Sequence, residues 1–204
     1  KKRFAFVTPK AALLKKDYLQ DLISEFKKHG ELSIITDVVY IYDTLKEHND
    51  MVTYNDNSKI SLCNKYSLET HLNRLLSKKV WLKSGAYLII EPTEALTVID
   101  VNTGKADLKT NKEGTFKKIN LEAAKEIALQ MKLRNISGII IVDFINMSNN
   151  KDYDILTHEM SEYLTNDFSI SNVVDITKLG LMELTRKKKE KSLEEIVNEK
   201  KDDN

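Results

Sequence analysis

Four β-branched residues in a row, Ile139 to Val142 in GIIIVDFINM, constrain this 204-residue chain more than any other feature. Side chains alternate across a strand, so an unbroken apolar run of this kind predicts a central strand buried on both faces. A second apolar run, EALTVIDVNTG, lies upstream. Between the two, Leu121, Ala124, Ala128 and Met131 fall at helical spacing, with Asn120 in a capping position. Strand, helix and strand in that order predict a right-handed crossover, with strands 95–102 and 139–145 parallel and close in one sheet.

The rest of the chain repeats the alternation. Residues 3–8 read as a strand, Asp17 to His29 as a helix ended by Gly30, and ELSIITD as a strand. Asp37 is placed to cap a helix reaching about His48. Weak strands follow at Met51 to Tyr54 and Lys59 to Cys63, and Ser67 opens a helix with Leu68, Leu72, Leu75 and Leu76 on one side. From Lys78 three strand-like runs form a β-meander, and Lys105 to Ile119 reads as a polar loop. Beyond GIIIVDFINM come a helix carrying Tyr153, Leu156, Met160, Tyr163 and Leu164 and two more strands, SNVVDIT and LGLMELT. The stretch from Arg186 to Asn204 has helical spacing but also the charge of a disordered tail. The class is α/β, a mixed sheet with flanking helices, dividing near residue 78.

Composition narrows the function by exclusion. Apolar residues make up 41%, enough for a core, and 32 basic against 31 acidic residues leave a charge of +1, so any nucleic-acid surface must be local. The single cysteine, Cys63, excludes an internal disulfide and a multi-cysteine zinc site; it reads as a small buried apolar residue in a reducing compartment. No run approaches the about 20 apolar residues of a membrane span, and Lys1-Lys2-Arg3 precedes too short a patch for a signal peptide, so a cytoplasmic location is expected. The absence of an initial Met is expected of a piece of a longer protein. His29, His48, His71 and His158 share no motif and read as surface or capping residues, and no serine-nucleophile or phosphate-loop motif occurs.

The chemistry concentrates at the ends of the two central strands. Asp100 and Asn102 share one face of the first, and Asp143 ends the second. Parallel strands bring both carboxylates to the sheet edge where open α/β sheets place ligands. Two such charges repel beside apolar strands, and a shared proton, a nearby Lys or Arg, or a divalent cation would compensate. Oxygen ligands favour Mg²⁺ or Mn²⁺ over zinc, with Asn102 orienting Asp100 or a bound water. One basic run, TRKKKEK, offers Arg186 and Lys187 as phosphate contacts or as a solvated face, and Lys105 lies just after the carboxylate pair.

These residues resemble the ribonuclease E/G family. The likeness is most specific in KKVWLKSGAYLIIEPTEALTVIDVNTGK, NLEAAKEIALQMKLRNISGIIIVDFINM and ITKLGLMELTRKK, and extends more weakly back through YSLETHL and KISL to ELSIITD. The resemblance implies a DNase I-like catalytic subdomain over 78–190, preceded at 1–77 by part of an RNase H-like subdomain and followed at 191–204 by a charged tail. It implies cleavage of single-stranded RNA to 5′-phosphate and 3′-hydroxyl ends, with Asp100 and Asp143 as Mg²⁺ ligands and Asn102 in support.

The departures bear on RNA capture. Asp167-Phe168-Ser169-Ile170 stands where the family usually has an Asp-Arg-x-Lys-like segment, and Ser84-Gly85-Ala86 and Ser137-Gly138 stand where the family often has two glycines. The segment between Leu62 and Tyr66 is shortened. The family's S1 domain, its 5′-monophosphate pocket and the zinc link that joins its members into homo-oligomers have no counterpart in these 204 residues. Two rivals follow: a non-catalytic RNA-binding or scaffold relative, and a nuclease acting on DNA.

Overall fold

A computed structural model of the chain describes residues 23–24, 26–27, 30–46, 51–56, 60–106, 112–165, 167 and 169–202. The expected strand at 3–8 and most of the helix at 17–29 lie outside these residues. The chain divides into two compact units, Lys1–His71 and Leu72–Asn204.

In the first unit β1 (Ile34–Thr36) and β2 (Val52–Tyr54) pair in parallel, Ile34 opposite Val52, joined by helix α1 (Val39–Lys46). Leu45 of α1 is buried, and the Tyr42 ring meets Tyr54 of β2 at 5.5 Å between centroids. The strand expected at Lys59 to Cys63 is instead a short helix, α2 (Leu62–Lys65). The Ser61 hydroxyl accepts the Asn64 N–H at 3.3 Å, a cap that favours a helical turn over an extended chain. Cys63 is exposed, contrary to the expectation of a buried thiol. Helix α3 (Leu68–Leu75) runs across the division between the units.

The second unit is one six-stranded sheet with helices. Its strands are β3 (Lys79–Trp81), β4 (Tyr87–Pro92), β5 (Leu96–Asn102), β6 (Gly138–Asp143), β7 (Ser171–Ile176) and β8 (Leu181–Arg186), in the spatial order β3-β4-β5-β6-β8-β7. The meander β3-β4-β5 is antiparallel as its turns predict, and the one parallel pair is β5 with β6, linked through helix α4 (Lys112–Leu133). Alternation then sorts the side chains. Leu88 and Ile90, Ile99 and Val101, Ile140 and Val142, and Met182 and Leu184 enter the core from successive strands. Ala123, Ala124, Ile127 and Met131 of α4 and Leu156, Met160 and Leu164 of α5 (Asn150–Thr165) complete that core.

Two expectations for this unit need correction, and one left open, between helix and charged tail, is decided. The strand β6 is central in order but not buried on both faces: Ile140 and Val142 are fully covered, while Ile139 is 51% exposed. Runs of β-branched residues report strand propensity as well as burial, and here propensity carried the signal. The loop expected from Lys105 to Ile119 is helical from Lys112, so Asn120 sits inside α4 and is completely buried instead of capping it. The C-terminal stretch forms α6 (Leu193–Asp202), opened by a reciprocal cap. The Ser192 hydroxyl accepts the Glu195 N–H, and the Glu195 carboxylate accepts the Ser192 N–H at 2.6 Å. That backbone N–H first, then Lys188 and the Ser192 hydroxyl, holds the Glu195 carboxyl below its ordinary range.

Candidate active site

The parallel ladder sets the site. Asp100 on β5 is the direct register partner of Asp143 on β6. Paired residues on neighbouring strands face the same side with backbones about 4.8 Å apart, so the two carboxylates stand side by side. Asp143 is exposed, and Asp100 is half-buried. Asn102, two residues along the same face, donates from Nδ2 to Asp100 Oδ2 at 2.7 Å. That bond fixes one carboxylate oxygen, and the other makes no hydrogen bond among the described residues.

The backbone around the pair is firmly held. Gly104 follows β5 with φ +54°, and a Cβ there would run into the Gly85 carbonyl oxygen. The position therefore needs glycine for both reasons. The same carbonyl accepts the Lys105 N–H at 2.9 Å, tying the loop after Asn102 to the β3–β4 turn. Beyond Asp143 the chain leaves the ladder and α4 takes over. Asn120 donates from Nδ2 to the Ile145 carbonyl at 2.7 Å and accepts the Ile145 N–H at 3.1 Å. Tyr153 Oη accepts the Met147 N–H at 3.1 Å, and Glu113 accepts both the N–H and the hydroxyl of Ser148. Reading the sequence missed this bracket; its one visible signal was an amide among the apolar residues of α4.

Among the described residues no Lys, Arg or His lies within ion-pair distance of Asp100 or Asp143. Nor do three or more His, Cys, Asp or Glu side chains gather into one group there. The donor set is thus two carboxylates and an amide, which suits a hard cation that keeps waters.

The basic candidates separate. Lys105 is exposed, three residues after Asn102 at the same end of the sheet. Arg186 corrects the expectation of a phosphate contact. Its side chain is 3% exposed, and it donates from Nε to Asp167 Oδ2 at 2.6 Å and from a terminal nitrogen to Asp167 Oδ1 at 3.0 Å. The other terminal nitrogen reaches Asn135 Oδ1 at 2.7 Å and the Ile136 carbonyl at 3.0 Å. Burial alone would raise the Asp167 carboxyl, but hydrogen bonds from Arg186, Ser171 and the Ser169 backbone hold it below its ordinary range. Lys187 is exposed, yet it adjoins Arg186, which pairs with Gly138 at the opposite end of β6 from Asp143, roughly 17 Å along the strand. A cleft at that far end mixes Arg134 and Lys188 with Glu94, Glu194 and Glu195, which gives it no sign of charge that favours phosphate. His71 and His158 are exposed on helices and join no site. Among the described residues no helix is long and apolar enough to cross a membrane.

Comparison with known proteins identifies relatives of the chain. The sequence model of the Ribonuclease E/G family matches residues 2–189. Ribonuclease G of Haemophilus influenzae is 40% identical over 169 residues, 82% of this chain and 33% of the relative. Ribonuclease E of Synechocystis is 43% identical over 140 residues, 69% of this chain and 21% of the relative. Ribonuclease G of Escherichia coli is 41% identical over 132 residues, 65% of this chain and 27% of the relative. The matched region spans about a third or less of each relative's length.

Proposed function

This chain belongs to the ribonuclease E/G family, and from that premise we propose that it carries the catalytic site of an Mg²⁺-dependent endoribonuclease acting on single-stranded RNA. The observation that supports this reading is the in-register pair Asp100 and Asp143, with Asn102 bonded to one of them and no cation beside either among the described residues. Asp100 and Asp143 would hold Mg²⁺, or Mn²⁺, through carboxylate oxygens. A bound ion of this kind supplies a Lewis acid that activates water and offsets charge on an attacked phosphodiester. Asn102 keeps Asp100 in one rotamer and stays uncharged, so it adds orientation without adding repulsion. Lys105, on the same edge, is placed to meet the RNA backbone. The expected products carry 5′-phosphate and 3′-hydroxyl ends. In this reading the second unit is the DNase I-like subdomain and the first is part of an RNase H-like subdomain. A role in bacterial RNA processing or decay, in the cytoplasm, follows from the reading.

The test is cleavage of a labelled single-stranded RNA with and without Mg²⁺. Asp100→Asn and Asp143→Asn are each expected to lower the rate about 10³-fold or more while thermal unfolding stays near that of the wild type. Wild-type cleavage by either variant sinks the assignment. RNA binding with no cleavage by the wild type at any Mg²⁺ concentration would instead favour a binding or scaffold relative. Preference for single-stranded DNA over RNA of the same sequence would favour a DNA nuclease.

A further inference from the structure

We propose that the sheet face beside the carboxylate pair is a base-stacking subsite for single-stranded RNA, with Trp81 as its platform. The proposal rests on the nuclease reading above and names where a nucleotide adjacent to the reacting one would lie. The register of the meander carries it. Trp81 on β3 is opposite Tyr87 on β4, and Tyr87 is opposite Asn102 on β5. Register partners share a face, so indole, phenol and the Asn102 amide form one row running outward from the site. Asp100 is the next residue on that face. Two strand spacings separate Trp81 from Asn102, roughly 10 Å, a short reach along an extended strand of RNA.

The row is built as a platform. The Trp81 and Tyr87 rings meet edge to face, centroids 5.2 Å apart at 61°, which holds the indole in one orientation. Tyr87 is wedged in turn beneath the loop after β5, its Cδ1 lying 3.0 Å from where a Gly104 Cβ would stand. Yet Trp81 is 55% exposed, the half-open state of a ring with one side free. The Lys79 ammonium sits 4.2 Å from the indole centroid and 3.7 Å from the phenol centroid. No salt bridge to Lys79 forms among the described residues, so the charge is available to an anion. A half-exposed indole with a cation held over one face leaves its remaining surface to a base and the cation to a phosphate, which matches a nucleotide. It matches a purely apolar protein segment less well.

Trp81 is the only tryptophan of the chain, so intrinsic fluorescence reports this position alone. The 204-residue chain is titrated in EDTA with an oligouridylate of about ten nucleotides and with an abasic ribose-phosphate oligomer of the same length. Binding of each is followed separately by the anisotropy of a terminal label. The oligouridylate is expected to quench the fluorescence along its own binding curve, and the abasic oligomer to bind with little quenching. In Mg²⁺, Trp81→Ala is expected to raise KM for cleavage about 5- to 150-fold, the range of one stacked base, with kcat within about twofold; Trp81→Phe restores most of the loss.

Binding without quenching overturns the proposal. So do unchanged kinetics in Trp81→Ala, an absence of RNA binding, or quenching that follows protein concentration alone and so marks contact between copies. Failure of the nuclease reading is a separate result: Asp100→Asn would cleave like the wild type while base-dependent quenching persisted.

Discussion

At one end of the six-stranded sheet Asp167 and Arg186 meet through two hydrogen bonds and leave solvent; at the other, Asp100 and Asp143 stand in register with no cation beside either among the described residues. Both ends hold charge against an apolar sheet, but they offset its cost differently. At the Arg186 end the guanidinium of Arg186 is partnered within the chain, by residues 19 and 51 positions away. At the Asp100 end the compensation among the described residues is one neutral amide. A fold that can satisfy a buried guanidinium so fully does not leave two adjacent carboxylates without a counter-charge for want of means. The contrast separates a pair closed within the chain from one that, in the proposed function, takes its counter-charge from a bound cation.

The comparison is most sharply broken at the Arg186 end. Asp167→Asn leaves a buried guanidinium short of its counter-charge and is expected to cost about 3–5 kcal/mol of unfolding free energy by denaturant titration. Cleavage per folded molecule should remain near wild type, since the site lies at the other end of β6. Loss of cleavage in the folded fraction would mean that the two ends are coupled. Next is Asn120→Ala, which leaves the Ile145 N–H and carbonyl without their partner; a loss of about 2–3 kcal/mol is expected, together with slower cleavage, because the chain beyond Asp143 loses its bracket. Equal stability with unchanged cleavage would show that β6 alone holds Asp143.

Two smaller effects refine the picture. Asn102→Ala frees the Asp100 carboxylate and is expected to weaken Mg²⁺-dependent cleavage about 10- to 100-fold, with little change in thermal stability. Acid titration of the wild type addresses the Arg186 end again. The Asp167 carboxyl is depressed in the folded state, so its contribution is complete above the ordinary aspartate value near about 4 and is lost as pH falls through the lower folded value. Stability of the wild type should therefore fall across that window more steeply than that of Asp167→Asn. Parallel acid profiles would remove Asp167 as the titrating group.

The two ends also differ in how far the sequence disclosed them. Asp100, Asn102 and Asp143 are legible because alternation is local: it puts Asp100 and Asn102 on one face, and a parallel pairing brings Asp143 to the same sheet edge. The register that makes Asp100 and Asp143 direct partners was not legible, because the apolar run Ile139 to Val142 favours neither face. Asn120 and Arg186 were not legible. One read as a helix cap and the other as a member of a basic run, because what defines each is a partner distant in sequence. An amide that bonds Ile145 from 25 positions away leaves no periodic trace, and neither does a guanidinium claimed by Asp167 and Asn135. The two-sided burial expected of β6 failed for a related cause, since β-branched runs form strands whether or not both faces are covered.

Within the six-stranded sheet β5 and β6 are the one parallel pair. Shifting β6 by one residue would turn Ile139, Ile141 and Asp143 into the core and bring Ile140 and Val142 out to water, so the loss falls mainly on a carboxylate buried without a partner. A molecule with the wrong register is therefore an unstable molecule before it is an inactive one. Assembly of the carboxylate pair is thus proofread by the hydrophobic core: whatever survives folding carries the two aspartates side by side.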